Sequence, residues 1–444
     1  MAVRATAVGW PRAERVPAVG LLAAVAIGVL AVAHGVVASR WPLVDIGLAG
    51  LAAFVCFPRL CRGVLVAVVV VGPLFNPPLL GIGTGRVYLL QALVVGVVAG
   101  GVVLATRNGM HRSAFALVAL VGLLVAVETI GRPNAGIAWV YRPLQVFFVA
   151  YAVRSLYLGR GDALLVQALA WGSVLGCALA SVHALFPAFD PFAVSRPADL
   201  PFVSAIGDYA RATGAFTYPN NLGTYAAYSV LFGASAWLLG RPHLSRGLAV
   251  AVMAAGSAAL ALAGSRAAGL GLLVGLLYLT AKAGPKRRGV LLAAEAAFGL
   301  ALVAFALTSP TGREVVEQRV SSATGESFFG RVEDVRETVD EFRRSPLIGT
   351  GSSESRIDNF VILHVTQAGI VGAALLVGIG LVALRTRQPK RYPELWAGLL
   401  LAMGVSGMLQ DSLGQTLVTW FPGALLGISM LRPEGAARLR SELR

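Results

Sequence analysis

The stretch LALAGSRAAGLGLL, residues 260–273, places a single arginine inside an apolar passage. Arg266 is the one charged residue between Gly247 and Ala281, and a charge at the centre of a bilayer costs about 2.5–3.5 kcal/mol or more. The passage is also too long for one spanning helix, which needs about 20 apolar residues. It therefore predicts two short antiparallel helices joined at the membrane surface by a turn over residues 264–266. Arg266 then either anchors that turn at the interface or faces a cavity in the outer leaflet.

Apolar runs of this kind recur along nearly the whole chain. Hydrophobic residues make up 57% of the 444 residues and charged residues 13%, a composition outside the range of soluble proteins. The first run follows a basic start and resembles a signal peptide, but its length favours a retained helix. We predict an all-α polytopic membrane protein of about 12–14 transmembrane helices, one integral membrane domain over residues 1–444. The predicted spans lie near 16–37, 43–57, 63–80, 87–105, 113–131, 137–153, 162–186, 220–240, 247–263, 267–281, 289–309, 358–384, 395–411 and 413–431.

The formal net charge of +15 is spread unevenly over the connections between these spans. With both termini in the cytoplasm, most of the 37 basic residues fall on the cytoplasmic side, as the positive-inside rule requires. The charge therefore indicates orientation and contact with anionic membrane lipids, and it does not indicate nucleic acid as a partner. The three cysteines lie in or beside apolar runs and form no disulfide or metal pattern.

Two connections on the predicted extracytoplasmic side are long, residues 187–219 and residues 309–357. The second contains VEDVRETVDEF, in which Val332, Val335, Val339 and Phe342 fall on one helical face opposite an acidic face. This pattern predicts an amphipathic helix that lies on the membrane surface or over a cavity. A solvated helix packed on the bundle fits the same pattern.

The predicted topology brings many ionisable residues to the extracytoplasmic ends of helices. Intramembrane ionisable groups tend to line functional cavities. Several arginines in one cavity favour an anionic ligand such as a diphosphate, because a guanidinium donates two parallel hydrogen bonds to a phosphate group. Such a cluster neutralises the charge of a diphosphate, as a metal ion would. The sequence shows no metal-ligand motif. The residues are Asp45, Glu128, Arg142, Asp208, Arg211, Arg266, Asp358, His364 and Asp411.

Three separated stretches carry a family resemblance. They are RATGAFTYPNNLGTY from Arg211 to Tyr225, SRAAGL with Arg266 and Leu270, and the region from GRVEDV, which contains Arg331, to SPLIGTGSSESRIDNFVILHVTQAGIVG. In order, spacing and predicted membrane side, they resemble the O-antigen ligase and O-antigen polymerase superfamily, membrane glycosyltransferases that use polyprenyl-diphosphate-linked glycans. The resemblance covers roughly residues 205 to 385.

The third stretch departs from the family pattern at one position. The ligases carry a histidine eleven residues before a glycine, and that histidine is proposed as catalytic; here the same spacing runs from Asp358 to Gly369. His364 lies on the same helix but about 120° around it from Asp358. An aspartate can accept a hydroxyl proton if its surroundings adjust its pKa. The substitution weakens a ligase assignment and leaves the polymerase branch open.

The resemblance implies an inverting transfer of a glycan from a polyprenyl diphosphate, such as undecaprenyl diphosphate, to a hydroxyl of a glycan or glycolipid acceptor. It implies cell-surface polysaccharide assembly at a bacterial cytoplasmic membrane, with the site on the extracytoplasmic side and neither metal nor cofactor. Arg211 and Arg266 would stabilise the departing diphosphate, and Asp358 would act as general base or orient the acceptor. Further substrate contacts are expected from Arg142, Arg331, Asn220, Asn359 and His364. Asn220 or Asn221 is also a candidate N-cap of its helix.

Two other classes of protein remain open on the sequence alone. A transporter or flippase of a lipid-linked or anionic solute also holds charges in the membrane, and GPLFNPPLLGIG (residues 72–83) is a candidate discontinuous helix of the transporter type. We find no internal repeat, and the charges gather on one predicted side, which favours the enzyme. A non-catalytic scaffold leaves the arginine cluster unexplained.

Overall fold

The structure is a computed structural model in which helices dominate. It describes residues 58–75, 78–82, 85–88, 97–98, 100–101, 104–105, 111–129, 137–157, 161–192, 205–206, 209–216, 218–240, 242–285, 288–289, 336, 339–340, 342–349, 360–385, 390–409 and 416–431. The predicted count of spans and the two predicted loops extend beyond these residues and stay predictions.

Ten helices and four short strands make up the described elements. The helices are α1 (Pro58–Val71), α2 (His111–Thr129), α3 (Ile137–Tyr157), α4 (Ala163–Leu185), α5 (Pro219–Leu239), α6 (Arg246–Ala263), α7 (Arg266–Lys282), α8 (Phe360–Leu384), α9 (Pro393–Leu409) and α10 (Thr416–Ser429). The strands pair antiparallel, β1 (Pro78–Ile82) with β2 (Gly85–Tyr88) and β3 (Ala205–Ile206) with β4 (Tyr209–Ala210). Among the described helices, α4, α5 and α6 are long and apolar enough to cross a membrane. The all-α membrane class is confirmed.

The predicted span at residues 63–80 is wrong in its second half. Helix α1 ends at Val71, and Pro78–Ile82 forms strand β1 instead of continuing a helix. Proline lacks the backbone N–H that a helix needs and restricts the residue before it, so Pro73 and Pro78 prevent the helix from continuing although the neighbouring side chains are apolar. The expected discontinuous helix at residues 72–83 is therefore wrong, and the predicted span at 87–105 begins too early because Gly85–Tyr88 is strand β2.

Helix α5 lies at the centre of the described bundle. In its most apolar stretch of 18 residues, 89% of the residues are buried, whereas 28% are buried in the corresponding stretch of α6. It packs on α6, α7, α9 and α10, and small residues let these helices come close. Helix α6 leaves much of its apolar surface exposed, which is the arrangement expected of a helix that faces lipid.

Glycines four residues apart make close contacts between helices. In α7, a Cβ added to Gly271 would lie 2.7 Å from the carbonyl oxygen of Ala402 in α9, and one added to Gly275 would lie 3.2 Å from that of Gly398. In α10, Gly423 and Gly427 meet carbonyl oxygens of α3 in the same way. Small residues four apart let membrane helices approach backbone to backbone, so these positions hold the described helices in register.

Helix α8 is interrupted at Gly369. This residue has φ 64° and ψ −172°, a combination that is essentially restricted to glycine. The turn of the Pro-Leu-x-Gly segment fits against the break, because the N–H groups of Ile370 and Val371 donate to the carbonyl oxygens of Pro346 and Leu347, each over 3.0 Å. The carbonyl of Leu347 lies where a side chain at position 369 would begin.

Candidate functional site

The candidate site lies at the end of the bundle where α6 ends and where α5 and α7 begin. We call this the arginine end and define it by Arg211, Asn220, Ala263 and Arg266. Helix α6 ends at Ala263 and is capped by Gly264, which has φ 60° and ψ 33° and whose N–H donates to the carbonyl oxygen of Leu260 over 3.0 Å. A left-handed residue here favours glycine.

A serine begins the next helix immediately after that glycine. The Ser265 hydroxyl accepts from the N–H of Ala268 over 3.4 Å, as an N-cap does. Helix α7 then starts at Arg266. The turn predicted over residues 264–266 is confirmed.

Arg211 is held against the last turn of α6. Its Nε donates to the carbonyl oxygen of Ala263 over 2.8 Å, and the N–H of Ala212 donates to Leu262 over 3.1 Å. The final carbonyls of a helix have no partner within the helix, and its C-terminal end attracts cations. Residues 211 and 212 therefore close the end of α6, and the Arg211 side chain is bonded to Ala263, three residues before Arg266.

The same guanidinium reaches the start of α5. Its Nη2 donates to the Asn220 side-chain oxygen over 2.9 Å, so Arg211 links the end of one helix to the beginning of another. Asn220 is not the N-cap that the sequence suggested, and neither is Asn221. Tyr218 occupies that position, with no side-chain capping bond, because Pro219 takes the first helical position, where its missing N–H is tolerated.

The first turns of α5 and α7 lie side by side. A Cβ added to Gly223 in α5 would be 2.5 Å from the Ser265 Cβ, so only a glycine permits this approach. Each helix N-terminus carries a partial positive charge of about half an elementary charge, and such ends bind phosphate groups. Arg211 and the exposed Arg266 add two positive charges to these helix starts, and the C-terminal end of α6 offsets a part of that charge.

The structure places the other predicted site residues only in part. Arg142 is in the second turn of α3 and His364 precedes the break in α8, whereas Arg331, Asp358 and Asn359 lie outside the described residues. The structure thus brings Arg211, Asn220 and Arg266 together and leaves the roles of all eight residues as predictions. Within the described part of the chain, no three histidine, cysteine, aspartate or glutamate side chains gather as metal ligands would.

Two residues of the arginine end were not predicted as site residues. Ser265 caps α7, and the pair Gly-Ser before an apolar run is a recognisable signal for a helix end followed by a helix start. Tyr218 precedes Pro219 and is 60% exposed, so its ring is available to a ligand at the arginine end. The proline predicts that Tyr218 lies just before the helix, but no sequence pattern predicts that its side chain is exposed.

Residues 249–364 match the model of a family described as O-antigen ligase, which confirms the resemblance noted from the sequence. The match includes most of α6, the turn with Ser265 and all of α7. No curated protein sequence matches the chain.

Proposed function

From the match of residues 249–364 to the O-antigen ligase family, we propose that this chain is a membrane glycosyltransferase. It moves a glycan from a polyprenyl-diphosphate carrier to a hydroxyl of a glycan or glycolipid acceptor on the extracytoplasmic face of a bacterial cytoplasmic membrane. The oxygen of the acceptor attacks the anomeric carbon as the bond to the diphosphate breaks, with inversion. The hydroxyl proton passes to a base, and the diphosphate leaves with the electron pair.

The family match carries this proposal, and the double attachment of Arg211 to Ala263 and Asn220 supports a role for that residue. It fixes a guanidinium between two helix ends and beside the turn that holds Arg266. Charge that is already in place when the leaving group departs is often the largest catalytic contribution. Arg266 supplies the exposed guanidinium that contacts the diphosphate, and Arg211 supports it with a second positive charge.

Asp358 takes the proton or orients the acceptor hydroxyl in this mechanism. It stands at the position where the family has a histidine, and Arg142 and Arg331 lie on segments that can add further positive charge. Asn359 and His364 follow Asp358 closely along the chain and contact the sugars. Each of these assignments rests on sequence position.

The direct test is the product formed by the purified chain from a defined lipid-linked oligosaccharide. A ladder of products indicates a polymerase, and a single conjugate indicates a ligase. We expect turnover to survive thorough chelation by EDTA, since arginines would stabilise the diphosphate. Loss of turnover on chelation, with recovery on adding magnesium or manganese, would contradict the arginine mechanism but not glycan transfer.

A transporter is the second candidate, and the break in α8 is the observation that favours it. Transporters often place substrate or ions at interrupted helices. Here, however, the first N–H groups after Gly369 are bonded to Pro346 and Leu347, so they are not offered to a substrate. Uptake of a lipid-linked or anionic solute into liposomes, without any glycan transfer, would favour the transporter.

A further inference from the structure

Tyr218 is an exposed aromatic residue inside a long buried stretch of the chain. Among the described residues from Arg211 to Leu239, every other side chain is buried or partly buried, whereas 60% of Tyr218 is exposed. Its ring therefore adds little to the packing of α5, and it stands in the open at the arginine end, where a ligand can reach it.

The backbone of Tyr218 is fixed although its side chain is exposed. Pro219 restricts the residue before it to an extended conformation, and Tyr218 has φ −130° and ψ 145°. The carbonyl oxygen of Tyr218 accepts from the N–H groups of Asn221 and Leu222 over 3.0 Å and 3.4 Å. Phe216 and Pro219 are buried on either side of it. A tyrosine on such a backbone has two side-chain torsions left to order, so it loses little conformational freedom when it contacts a ligand.

Tyr218 lies further out from the bundle than the turn that carries Arg266. Gly223 of α5 is the residue that approaches Ser265, and Tyr218 precedes Gly223 by five residues, a rise of about 7.5 Å along the helix axis. Helix α5 continues inward from Gly223 in the opposite direction. The ring therefore begins on the outer side of the level at which Arg266 starts α7.

The chemistry of an aromatic ring limits which part of a ligand Tyr218 can contact. The face of the ring carries partial negative charge, so it disfavours a phosphate group and attracts C–H groups that neighbouring oxygens polarise. A sugar ring presents such C–H groups. A hydrocarbon chain attached to a phosphate at Arg266 would run inward along the bundle, away from Tyr218. Sugars attached to the other side of that phosphate would run outward, past Tyr218.

We propose that Tyr218 stacks on a sugar of the donor glycan close to the diphosphate and so contributes to the choice of glycan. This inference rests on the proposed function, because that function supplies a diphosphate-linked glycan. The competing role is that of an aromatic anchor at the membrane–water interface, where tyrosine is enriched. An anchor contacts lipid and does not distinguish a ligand with sugars from one without them.

The experiment compares two ligands of the full chain in phosphatidylcholine nanodiscs, a defined lipid-linked oligosaccharide and the same polyprenyl diphosphate without sugars. We expect Tyr218→Ala to raise Kd for the oligosaccharide about tenfold, since truncating a contact tyrosine typically costs about that much. Kd for the sugar-free lipid should stay unchanged. Tyr218→Phe keeps the ring and should match the wild type for both ligands. Tyr278→Ala, the same truncation near the other end of α7, is the control and should also match it.

Three results would overturn the proposal. They are an unchanged Kd in Tyr218→Ala, an equal rise for the two ligands, and a loss in Tyr218→Phe as large as in Tyr218→Ala. If Tyr218→Ala unfolds, Tyr218→Leu replaces it, because leucine keeps apolar bulk without an aromatic face and should show the same selective loss.

The same measurements separate this inference from the proposed function. If the wild-type chain transfers glycan and the loss is not selective for the oligosaccharide, only this inference fails. A selective loss in a chain that transfers no glycan rejects only the proposed function. A wild-type chain that does not bind the lipid-linked oligosaccharide would reject both.

Discussion

Arg211 and Asn220 form a contact whose energetic weight is open to measurement. A hydrogen bond from a charged donor contributes about 1.5–3 kcal/mol, and this one joins α5 to the end of α6. We expect Asn220→Leu, which has a similar shape, to lower the thermal unfolding temperature in detergent. Asn220→Asp keeps an acceptor for Arg211 and should unfold near the wild-type temperature. Equal unfolding temperatures for the two variants would mean that the contact does not stabilise the fold.

Asp358 is the residue at which this chain departs from the family, and that departure is testable by pH. Asp358→Asn should retain donor binding and lose turnover, because an amide does not accept the proton. Asp358→His should retain turnover, with its acidic limb moved upward, since a histidine has a pKa near 6.5 and an aspartate near 3.9. The base must be unprotonated, so activity of the histidine variant should fall as pH drops through about 6.5. An unchanged pH–rate profile would exclude this residue as the base.

At the scale of elements, the contact of α7 with α9 depends on the absence of a side chain at Gly271. A methyl there would press on the carbonyl of Ala402, and overpacking typically costs about 1–3 kcal/mol. Gly269 is two residues away on the same helix, and a Cβ there would meet nothing within 4 Å. We expect Gly271→Ala to lower the unfolding temperature and Gly269→Ala to leave it unchanged or raise it. The reverse order would mean that these two helices do not pack through Gly271.

The element scale also shows where sequence reasoning succeeded and failed. The helices α2 to α10 each overlap a predicted span, because about 20 apolar residues in a membrane have few alternatives to a helix. The hydropathy pattern predicted a helix as far as residue 80, but prolines in the segment 73–78 end that helix early and strand β1 follows. The partner of Asn220 was not predictable, since it depends on how the ends of α5 and α6 meet in space.

At the scale of the whole molecule, a buried ion pair joins segments that are distant in sequence. Arg391 donates to Asp162 over 3.1 Å, with 7% and 3% of the side chains exposed, and the Tyr392 hydroxyl donates to the same carboxylate over 3.1 Å. Burial, and then the charge of Asp162, raise the pKa of Tyr392, so its hydroxyl stays a donor. This cluster ties the start of α4 to the start of α9.

Removing one partner of that pair should be costly because it leaves a buried charge. We expect Asp162→Asn to destabilise the fold by about 3–5 kcal/mol. The exposed pair of Arg343 with Asp340 provides the control, since Asp340→Asn should cost about 0–1 kcal/mol. Urea or thermal unfolding in one detergent compares the two. Similar values for both variants would show that the cluster does not hold α4 and α9 together.

The charge pattern that predicted the arginine end is itself a property of the whole chain. Most basic residues gather on one predicted side, so the arginines at helix ends on the other side indicated a site for an anion. Sequence spacing identified Arg211 and Arg266 as separate motifs. Their proximity arises from the bond of Arg211 to the carbonyl oxygen of Ala263 and from the close approach of Gly223 to Ser265, which are tertiary contacts that no local pattern encodes.

Glycan transfer with Arg266 as the diphosphate contact is tested most directly by measuring donor binding and turnover together. The variants are Arg266→Lys and Arg266→Ala, with Arg246→Lys at the other end of the neighbouring helix as the control. Lysine keeps the charge but lacks the planar guanidinium that forms two parallel hydrogen bonds. Losing one charged hydrogen bond costs about 1.5–3 kcal/mol, which lowers the rate about tenfold to a hundredfold. We predict that Arg266→Lys folds normally and loses most turnover, that Arg266→Ala is nearly inactive, and that Arg246→Lys matches the wild type. Wild-type binding and turnover in Arg266→Lys would contradict this role and leave Arg266 as an interfacial anchor.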